Sequence, residues 1–87
     1  MHASISTFRG DPDDLLARYD AMAAEIPAAN LSLHLCLRAD DGIVVVDTCP
    51  SREAFAAFYG GPLRALLARH GLPEPVIEDH PVHRAVA

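Results

Sequence analysis

Two adjacent segments of the chain carry side chains that can exchange protons. These side chains alternate with other residues: His34, Cys36 and Arg38 in the first segment, Asp47 and Cys49 in the second. Side chains two residues apart on a strand share a face, so a hairpin brings all of them to one face. Histidine changes charge near neutral pH and suits acid–base chemistry. The pattern predicts an acid–base or thiol site, and a polar contact between sheets with satisfied hydrogen bonds is the simpler alternative.

The register of this hairpin decides which of these side chains meet. Residues 40–42, Asp-Asp-Gly, are a hairpin turn signal. A turn at Asp41-Gly42 predicts that Cys36 lies opposite Asp47 and that His34 lies opposite Cys49. A turn one residue earlier changes these pairs but keeps the same side chains together on one face.

The two cysteines have alternative roles. These registers place Cys36 and Cys49 diagonally or further apart, which disfavours a disulfide between them. No C-x-x-C pair is present, and reduced thiols are the default in a cytosolic protein. A reactive Cys36 needs a nearby cation, which Arg38 or His34 supplies. An inert buried thiol is the alternative.

Two further candidate bases, His80 and His83, lie near the end of the sequence. On a strand Glu78 and His80 share a face while His83 points to the other, so the three do not converge and no metal site is predicted. We predict His83 or His80 as a general base that faces a bound ligand, with a structural role as the alternative. A one-residue slip of the strand exchanges their faces.

Two tyrosines are candidate hydrogen-bond donors to a ligand. Tyr59 directly precedes Gly60-Gly61-Pro62, which interrupts a helical pattern. A helix break beside a cavity can form its mouth, so Tyr59 is predicted to orient a ligand oxygen. Tyr19 in the first helix is a second candidate. For both, a core aromatic ring whose hydroxyl reaches water is the alternative.

Periodicity and caps predict the elements that position these residues. Leu15, Tyr19, Met22 and Ile26 repeat at three- and four-residue spacing, which is typical of an amphipathic helix. Asp11 and Ser51 are suitable N-caps. The predicted elements, in order, are a strand at 2–9, a helix from Asp11 to Pro27, strands at 31–38 and 43–48, a helix from Ser51 to Gly71 and a strand at 75–86.

Four strands and two helices in the order βαββαβ predict one fold class. It is a ferredoxin-like α+β sandwich with a four-stranded antiparallel sheet, formed by residues 1–87 as a single domain. The two helices cover one face of the sheet. The other face, which we predict to carry His34 and Cys36, is expected to meet water or a second sheet.

Composition restricts the partners and the location. Of the 87 residues 51% are apolar, which is high for a small soluble monomer and predicts that some apolar surface is an interface. The net charge of −5, with no lysine, disfavours nucleic acid and an anionic membrane surface as partners. The sequence has no apolar run of about 18 residues and no signal-peptide pattern, so a cytoplasmic location is predicted.

The element order and two sequence segments resemble the dimeric α/β-barrel superfamily, which includes the antibiotic-biosynthesis-monooxygenase-like proteins. The segments are Asp47-Thr48-Cys49-Pro50-Ser51-Arg52-Glu53-Ala54-Phe55, with Phe58 following, and Pro81-Val82-His83-Arg84. The resemblance covers almost the whole chain. It implies a homodimer whose two sheets meet face to face, with a small apolar cavity in each subunit.

Members of this superfamily differ in activity, and the residues present here narrow the choice. The haem-degrading members use an Asn–Trp–His set, and this chain has no tryptophan. Polyketide cyclases carry a Tyr and a His where this chain has Phe58 and Arg64. The oxygenase members use less uniform cavity residues, for which Tyr19, Tyr59 and Asn30 are the candidates.

The resemblance implies one hypothesis, an enzyme that acts without a cofactor, as a monooxygenase or isomerase of a small apolar or aromatic metabolite. The predicted catalytic residues are His83, His80 and Tyr59. The predicted ligand-binding residues are His34, Arg38, Asp47 and Tyr19. A non-catalytic dimer that binds a small ligand or serves as an accessory subunit is the alternative, and a redox-responsive protein that uses Cys36 is a third hypothesis.

Overall fold

The computed structural model describes residues 1–26 and 33–86. Its element order is the predicted βαββαβ, with the second helix divided into three parts. The elements are β1 (His2–Arg9), α1 (Pro12–Ala23), β2 (Leu33–Ala39), β3 (Gly42–Cys49), α2 (Arg52–Phe58), a π-helical turn (Tyr59–Leu63), α3 (Arg64–Arg69) and β4 (Val76–Pro81). The strands form one antiparallel sheet in the order β2-β3-β1-β4. The ferredoxin-like fold prediction is confirmed.

Both helix starts are capped as predicted. The Asp11 carboxylate accepts a hydrogen bond from the Asp14 amide at 3.1 Å, and Pro12 follows the cap. The Ser51 hydroxyl accepts from the Ala54 amide at 3.1 Å. Each cap satisfies an amide that has no partner within its helix, which fixes where the helix begins.

The interruption predicted at residues 60–62 is a widened helical turn. Pro62 has no amide hydrogen, and its ring excludes the carbonyl four residues back, so the chain forms π-type bonds here and resumes as α3. The helix then ends in a Schellman motif. Leu72 donates to the Leu67 carbonyl at 3.0 Å, and Gly71 takes the left-handed conformation with φ of +70°.

The predicted hairpin register at residues 41–42 is wrong, and the alternative one residue earlier is present. Ala39 pairs with Gly42, so His34 lies opposite Asp47 and not opposite Cys49. Gly42 is part of the strand and not of the turn, because it pairs with Ala39 on one side and with Arg9 on the other. A Cβ at this position would lie 1.9 Å from the Phe8 carbonyl oxygen, so no side chain fits there.

The prediction for the two sheet faces is also wrong. The face beneath the helices carries His34, Cys36 and Asp47, whereas the open face carries the leucines of β2. Leu33, Leu35 and Leu37 are 44–49% exposed, and Ile5 and Val76 accompany them on this face. The alternation in β2 correctly separates its polar side chains from its leucines. The polar side chains face the helices, where His34 makes hydrogen bonds with Tyr19 and Asp47.

Element ends differ from the predictions in three places. Helix α1 ends at Ala23, before the predicted stop at Pro27, and Pro27 and Leu31 lie outside the described residues. The predicted last strand of residues 75–86 is shorter and ends at Pro81. Within the described residues, no helix is both long and apolar enough to cross a membrane.

Gly42→Ala is expected to destabilise the fold by about 1–3 kcal/mol, because the new Cβ would lie 1.9 Å from the Phe8 carbonyl oxygen. Gly61→Ala is the matched control, since nothing lies within 4 Å of the place its new methyl group would occupy and alanine is the better helix former. Urea denaturation of both variants measures the difference. Equal stability of the two variants would contradict the close contact at Gly42.

Candidate functional site

A small apolar cavity lies between the helices and the covered sheet face. Its volume is about 20 Å³, enough for one water molecule. Its wall is mostly apolar side chains, and the polar groups His34, Asp47, Tyr19, Tyr59 and Ser6 interrupt it. An apolar cavity with a few converging polar groups is the usual form of a small-molecule site.

A chain of three hydrogen-bonded side chains crosses one wall of this cavity. The Tyr19 hydroxyl lies 2.5 Å from His34 Nε2, and His34 Nδ1 meets Asp47 Oδ1. An ionised carboxylate only accepts hydrogen bonds, so we assign the ring proton to Nδ1 and the lone pair to Nε2. The Tyr19 hydroxyl then donates to His34. The order Tyr19–His34–Asp47 is called the relay below.

Local structure explains why these three side chains meet. Tyr19 lies one turn from both Leu15 and Met22 on the side of α1 that packs on the sheet. His34 and Asp47 are directly opposite each other in the β2–β3 ladder. The Tyr19 and His34 rings also stack, with centroids 5.8 Å apart and an interplanar angle of 14°. The stacking and the hydrogen bonds together hold the imidazole in one orientation.

The relay is set up for a neutral tyrosine. Burial, together with the negative charges of Cys36, Asp47 and Asp20 when ionised, raises the pKa of Tyr19 to about 12. Tyr19 is therefore a phenol at neutral pH and donates its proton to His34. A group that enters the cavity meets the oxygen of this phenol.

Asp47 is the most deeply buried acid in the described structure, at 3% exposure. His34 is the side chain that bonds to it. Ser4 lies directly opposite Asp47 on β1 and is 1% exposed, and its hydroxyl has no hydrogen-bond partner within the described residues. An unsatisfied buried hydroxyl next to a buried carboxylate is unusual and needs a physical reason.

Three of the four predicted ligand-binding residues, Tyr19, His34 and Asp47, are thus brought together. The fourth, Arg38, is held elsewhere, because its guanidinium donates to Asp13 at 2.6 Å and attaches β2 to the start of α1. Of the predicted catalytic residues, Tyr59 lines the cavity and stacks on Phe55 at 6.0 Å.

The structure does not bring His80 or His83 to the cavity. His80 is exposed on the open sheet face, opposite Ala3. His83 follows β4 and is also exposed. Glu78 shares the open face with His80, as the strand parity predicts. In residues 1–26 and 33–86, no three His, Cys, Asp or Glu side chains come together as a metal-binding group.

Both cysteines are free thiols. Burial and then the charge of Asp20 raise the pKa of Cys36, so the thiol and not the thiolate is its form at neutral pH. The nearby cation predicted to activate Cys36 does not have that effect here. Cys49 is buried and donates to the Ser51 carbonyl at 3.1 Å, which gives it a structural role beside the cap of α2.

An outer groove of about 130 Å³ adjoins the cavity. Tyr59, Leu67 and Leu72 line both spaces and form the wall between them. The groove is more polar, with Arg64 and Glu74 at its margin.

Comparison with known proteins relates this chain to others through structure. No protein-family model matches it, and no curated protein matches it. A mutant of MhuD with two manganese protoporphyrin IX molecules bound per active site superposes with a TM-score of 0.75 at 21% identity, over 100% of this chain and 99% of that chain. Rv0793 from Mycobacterium tuberculosis has a TM-score of 0.71 at 25% identity, covering 98% of each chain.

A third neighbour is SnoaB, a cofactor-independent oxygenase from Streptomyces nogalater. Its TM-score is 0.65 at 17% identity, over 98% of this chain and 93% of that chain. These neighbours are antibiotic-biosynthesis-monooxygenase proteins of the dimeric α/β-barrel superfamily. This chain has their fold, which confirms the predicted resemblance.

Two features of the site were not predicted from the sequence. The first is the contact between Tyr19 and His34, which joins a helix to an edge strand fifteen residues later. The second is the buried position of Ser4. The signal for Ser4 is the run of alternate residues His2, Ser4, Ser6 and Phe8, in which polar side chains occupy the same face as a buried phenylalanine.

Tyrosinate absorbance is expected to show a titration step near pH 12 that Tyr19→Phe removes and Tyr59→Phe retains. The raised pKa of Tyr19 also affects stability. Between pH 10.0, the ordinary pKa of tyrosine, and about pH 12, the folded chain keeps a proton on Tyr19 that the unfolded chain has lost. The free energy of unfolding should therefore fall with rising pH across this window, less steeply in Tyr19→Phe. Persistence of the step in Tyr19→Phe would contradict the assignment.

Proposed function

We propose that this chain is a proton-abstracting enzyme for a small, largely apolar phenol or enol, and that it catalyses a monooxygenation without a cofactor. The observation that carries the proposal is the Tyr19–His34–Asp47 relay at the wall of an apolar cavity. Such a relay can take a proton from a substrate in a site that otherwise offers no solvation for charge.

The proton step uses each relay member once. A substrate C–H or O–H gives its proton to the Tyr19 oxygen while the Tyr19 hydroxyl proton moves to His34 Nε2. The ring becomes an imidazolium, which Asp47 stabilises through Nδ1–H. Because Tyr19 gives one proton as it takes another, the phenol never ionises, in agreement with its raised pKa.

The remaining chemistry belongs to the substrate and dioxygen. The substrate anion reduces dioxygen and combines with it, and one proton from the relay completes a hydroperoxide at the attacked carbon. Loss of water from a CH–OOH group leaves a C=O group. One oxygen atom enters the product and the other leaves as water, and the substrate supplies all the electrons. Without dioxygen, return of the proton to a second carbon gives an isomerisation.

A ligand of about one ring would occupy the outer groove, whose volume of about 130 Å³ is close to the roughly 150 Å³ that holds benzene. The cavity has room for only about one water molecule, so part of the wall shared by the two spaces would have to move for such a ligand to reach the relay. A porphyrin, which the MhuD mutant binds, does not fit these residues. The cavity is far smaller, and both ring nitrogens of His34 are engaged in hydrogen bonds. SnoaB, described as a cofactor-independent oxygenase, supports the proposed reaction class.

We also propose that the chain forms a homodimer through the open sheet face. The exposed leucines of β2, with Ile5 and Val76, make an apolar surface on an 87-residue chain. His80 and Glu78 lie on the same face and would enter this interface. A single sheet with helices on one side only is completed by packing against a second sheet.

Turnover of single-ring phenols and cyclic enols, followed by product mass and oxygen consumption, tests the reaction. His34→Ala is expected to lower kcat by about 100- to 10,000-fold, the usual contribution of a general base. Asp47→Asn should also lower kcat, because it removes the charge that stabilises the imidazolium. Product formation without oxygen consumption would assign the isomerase reaction instead.

His70→Gln is the matched control for loss of a histidine, since His70 pairs with Glu25 at the surface, away from the cavity. His83→Ala separates the two candidate sites. If His83→Ala abolishes turnover and His34→Ala does not, the relay does not supply the catalytic base. Ligand-induced thermal stabilisation without any product would favour the non-catalytic binding protein.

Leu35→Asp is expected to give a monomer in analytical ultracentrifugation, because it places a charge at the centre of the proposed interface. Val86→Asp is the control, since Val86 is 81% exposed and lies beyond the last strand. The same monomer content in both variants would argue against dimerisation through the sheet. Retained secondary structure in circular dichroism excludes unfolding as the cause.

A further inference from the structure

The π-helical turn brings an arginine to the outer groove. The Arg64 amide donates to the Tyr59 carbonyl, a bond that spans five residues where an α-helix spans four. Arg64 and Tyr59 both line the groove, whereas Leu63, one residue earlier, lines the cavity. π-Helical turns are rare and frequently occur at functional sites. Here the turn places a guanidinium beside the wall that the groove and the cavity share.

The charge of Arg64 is available to a ligand. Five of the seven arginines form ion pairs with acidic side chains, namely Arg9, Arg18, Arg38, Arg52 and Arg69. Within the described residues, no ion pair includes Arg64 or Arg84. The chain has twelve acids and only seven arginines, so unpaired acids are unavoidable, but an unpaired arginine is not. Of these two arginines, Arg64 is the one that lines the groove.

The rest of the groove suits one ring. Leu67 and Leu72, which are buried, give it an apolar surface. Pro73 and Pro75 also line it, and the fixed φ angle of proline makes this part of the wall stiff. The volume of about 130 Å³ is close to the roughly 150 Å³ that holds benzene. An apolar groove with one charged side chain at its margin matches an aromatic ligand with one charged substituent.

The second charged group of the groove restricts the charge of that ligand. Glu74 lines the groove but forms no ion pair with Arg64. The planar guanidinium of Arg64 can donate two parallel hydrogen bonds to one carboxylate. The negative charge of Glu74 would repel a second anionic group on the same ligand. The two charges together favour a ligand with a single carboxylate.

We propose that the outer groove binds a single-ring ligand with one carboxylate, and that Arg64 pairs with this carboxylate. The inference rests on the proposed function, because it adds a carboxylate to the phenol or enol substrate at the end away from the reacting group. The ring lies against Leu67 and Leu72. The hydroxyl end of the ligand lies toward Tyr59 and the shared wall, with the relay on the other side of that wall.

Three phenols of nearly equal size test this site. They are 4-hydroxyphenylacetate, which carries a carboxylate, its neutral amide 4-hydroxyphenylacetamide, and tyramine, which carries an ammonium group. NMR titration of the whole protein in oxygen-free buffer measures Kd and locates the binding. We expect the carboxylate to bind about three- to tenfold more tightly than the amide. This ratio should fall as salt is added, because an exposed ion pair is screened.

Arg64→Gln is expected to abolish the preference for the carboxylate and to leave the Kd of the amide unchanged. Glu74→Gln should tighten binding of the carboxylate, because it removes a repelling charge. Arg84→Gln is the matched control, since Arg84 is also an exposed arginine outside the ion pairs of the described residues and does not line the groove. It should retain the preference for the carboxylate.

Two outcomes would overturn the proposal. One is equal affinity for the carboxylate and the amide, or a preference that survives Arg64→Gln. The other is tightest binding of tyramine, lost in Glu74→Gln, which would assign the groove to a cation. Because the titration involves no turnover, either outcome leaves the oxygenase proposal standing. Absence of turnover with all three phenols would count against the oxygenase and leave an Arg64-dependent preference as evidence for the carboxylate site.

Discussion

The buried carboxylate of Asp47 is the constraint on which the site depends. An unpaired carboxylate beneath the helices would cost several kcal/mol, so its position requires a donor. His34 supplies that donor from the neighbouring strand, and its ring is held in turn by Tyr19 on α1. One electrostatic requirement therefore links a helix to two strands. It also explains why the polar side chains of β2 lie beneath the helices, where their partners are, and the leucines on the other face.

The leucine face shows the opposite physical demand. Leu33, Leu35 and Leu37 leave apolar surface in contact with water in the isolated chain, and burial of each side chain is worth about 1.5–3 kcal/mol. A small domain with helices on one side of its sheet has few other ways to bury that surface. The covered face is specialised for polar chemistry in an apolar setting, and the open face for packing. The two roles are separated by one residue along each strand.

Much of this architecture is readable from local signals. Asp11 and Ser51 mark both helix starts because a cap satisfies free amides within a few residues. Strand parity correctly groups His34 with Asp47, since alternation is a property of the backbone itself. Local signals did not predict three other features. These are the register of the β2–β3 hairpin, the side of β2 that faces the helices, and the contact between Tyr19 and His34. Each depends on residues from separate elements that meet only after the sheet has formed.

The sequence by itself determined the element order, the caps and which residues share a strand face, because these depend on backbone geometry and near neighbours. Only the tertiary structure decided which face the helices cover, that Tyr19 completes the relay, and that Ser4 lies between Asp47 and Asp79. The physical reason is strand order. Placing β1 between β3 and β4 makes neighbours of residues more than forty and seventy positions apart, and no local pattern records that adjacency.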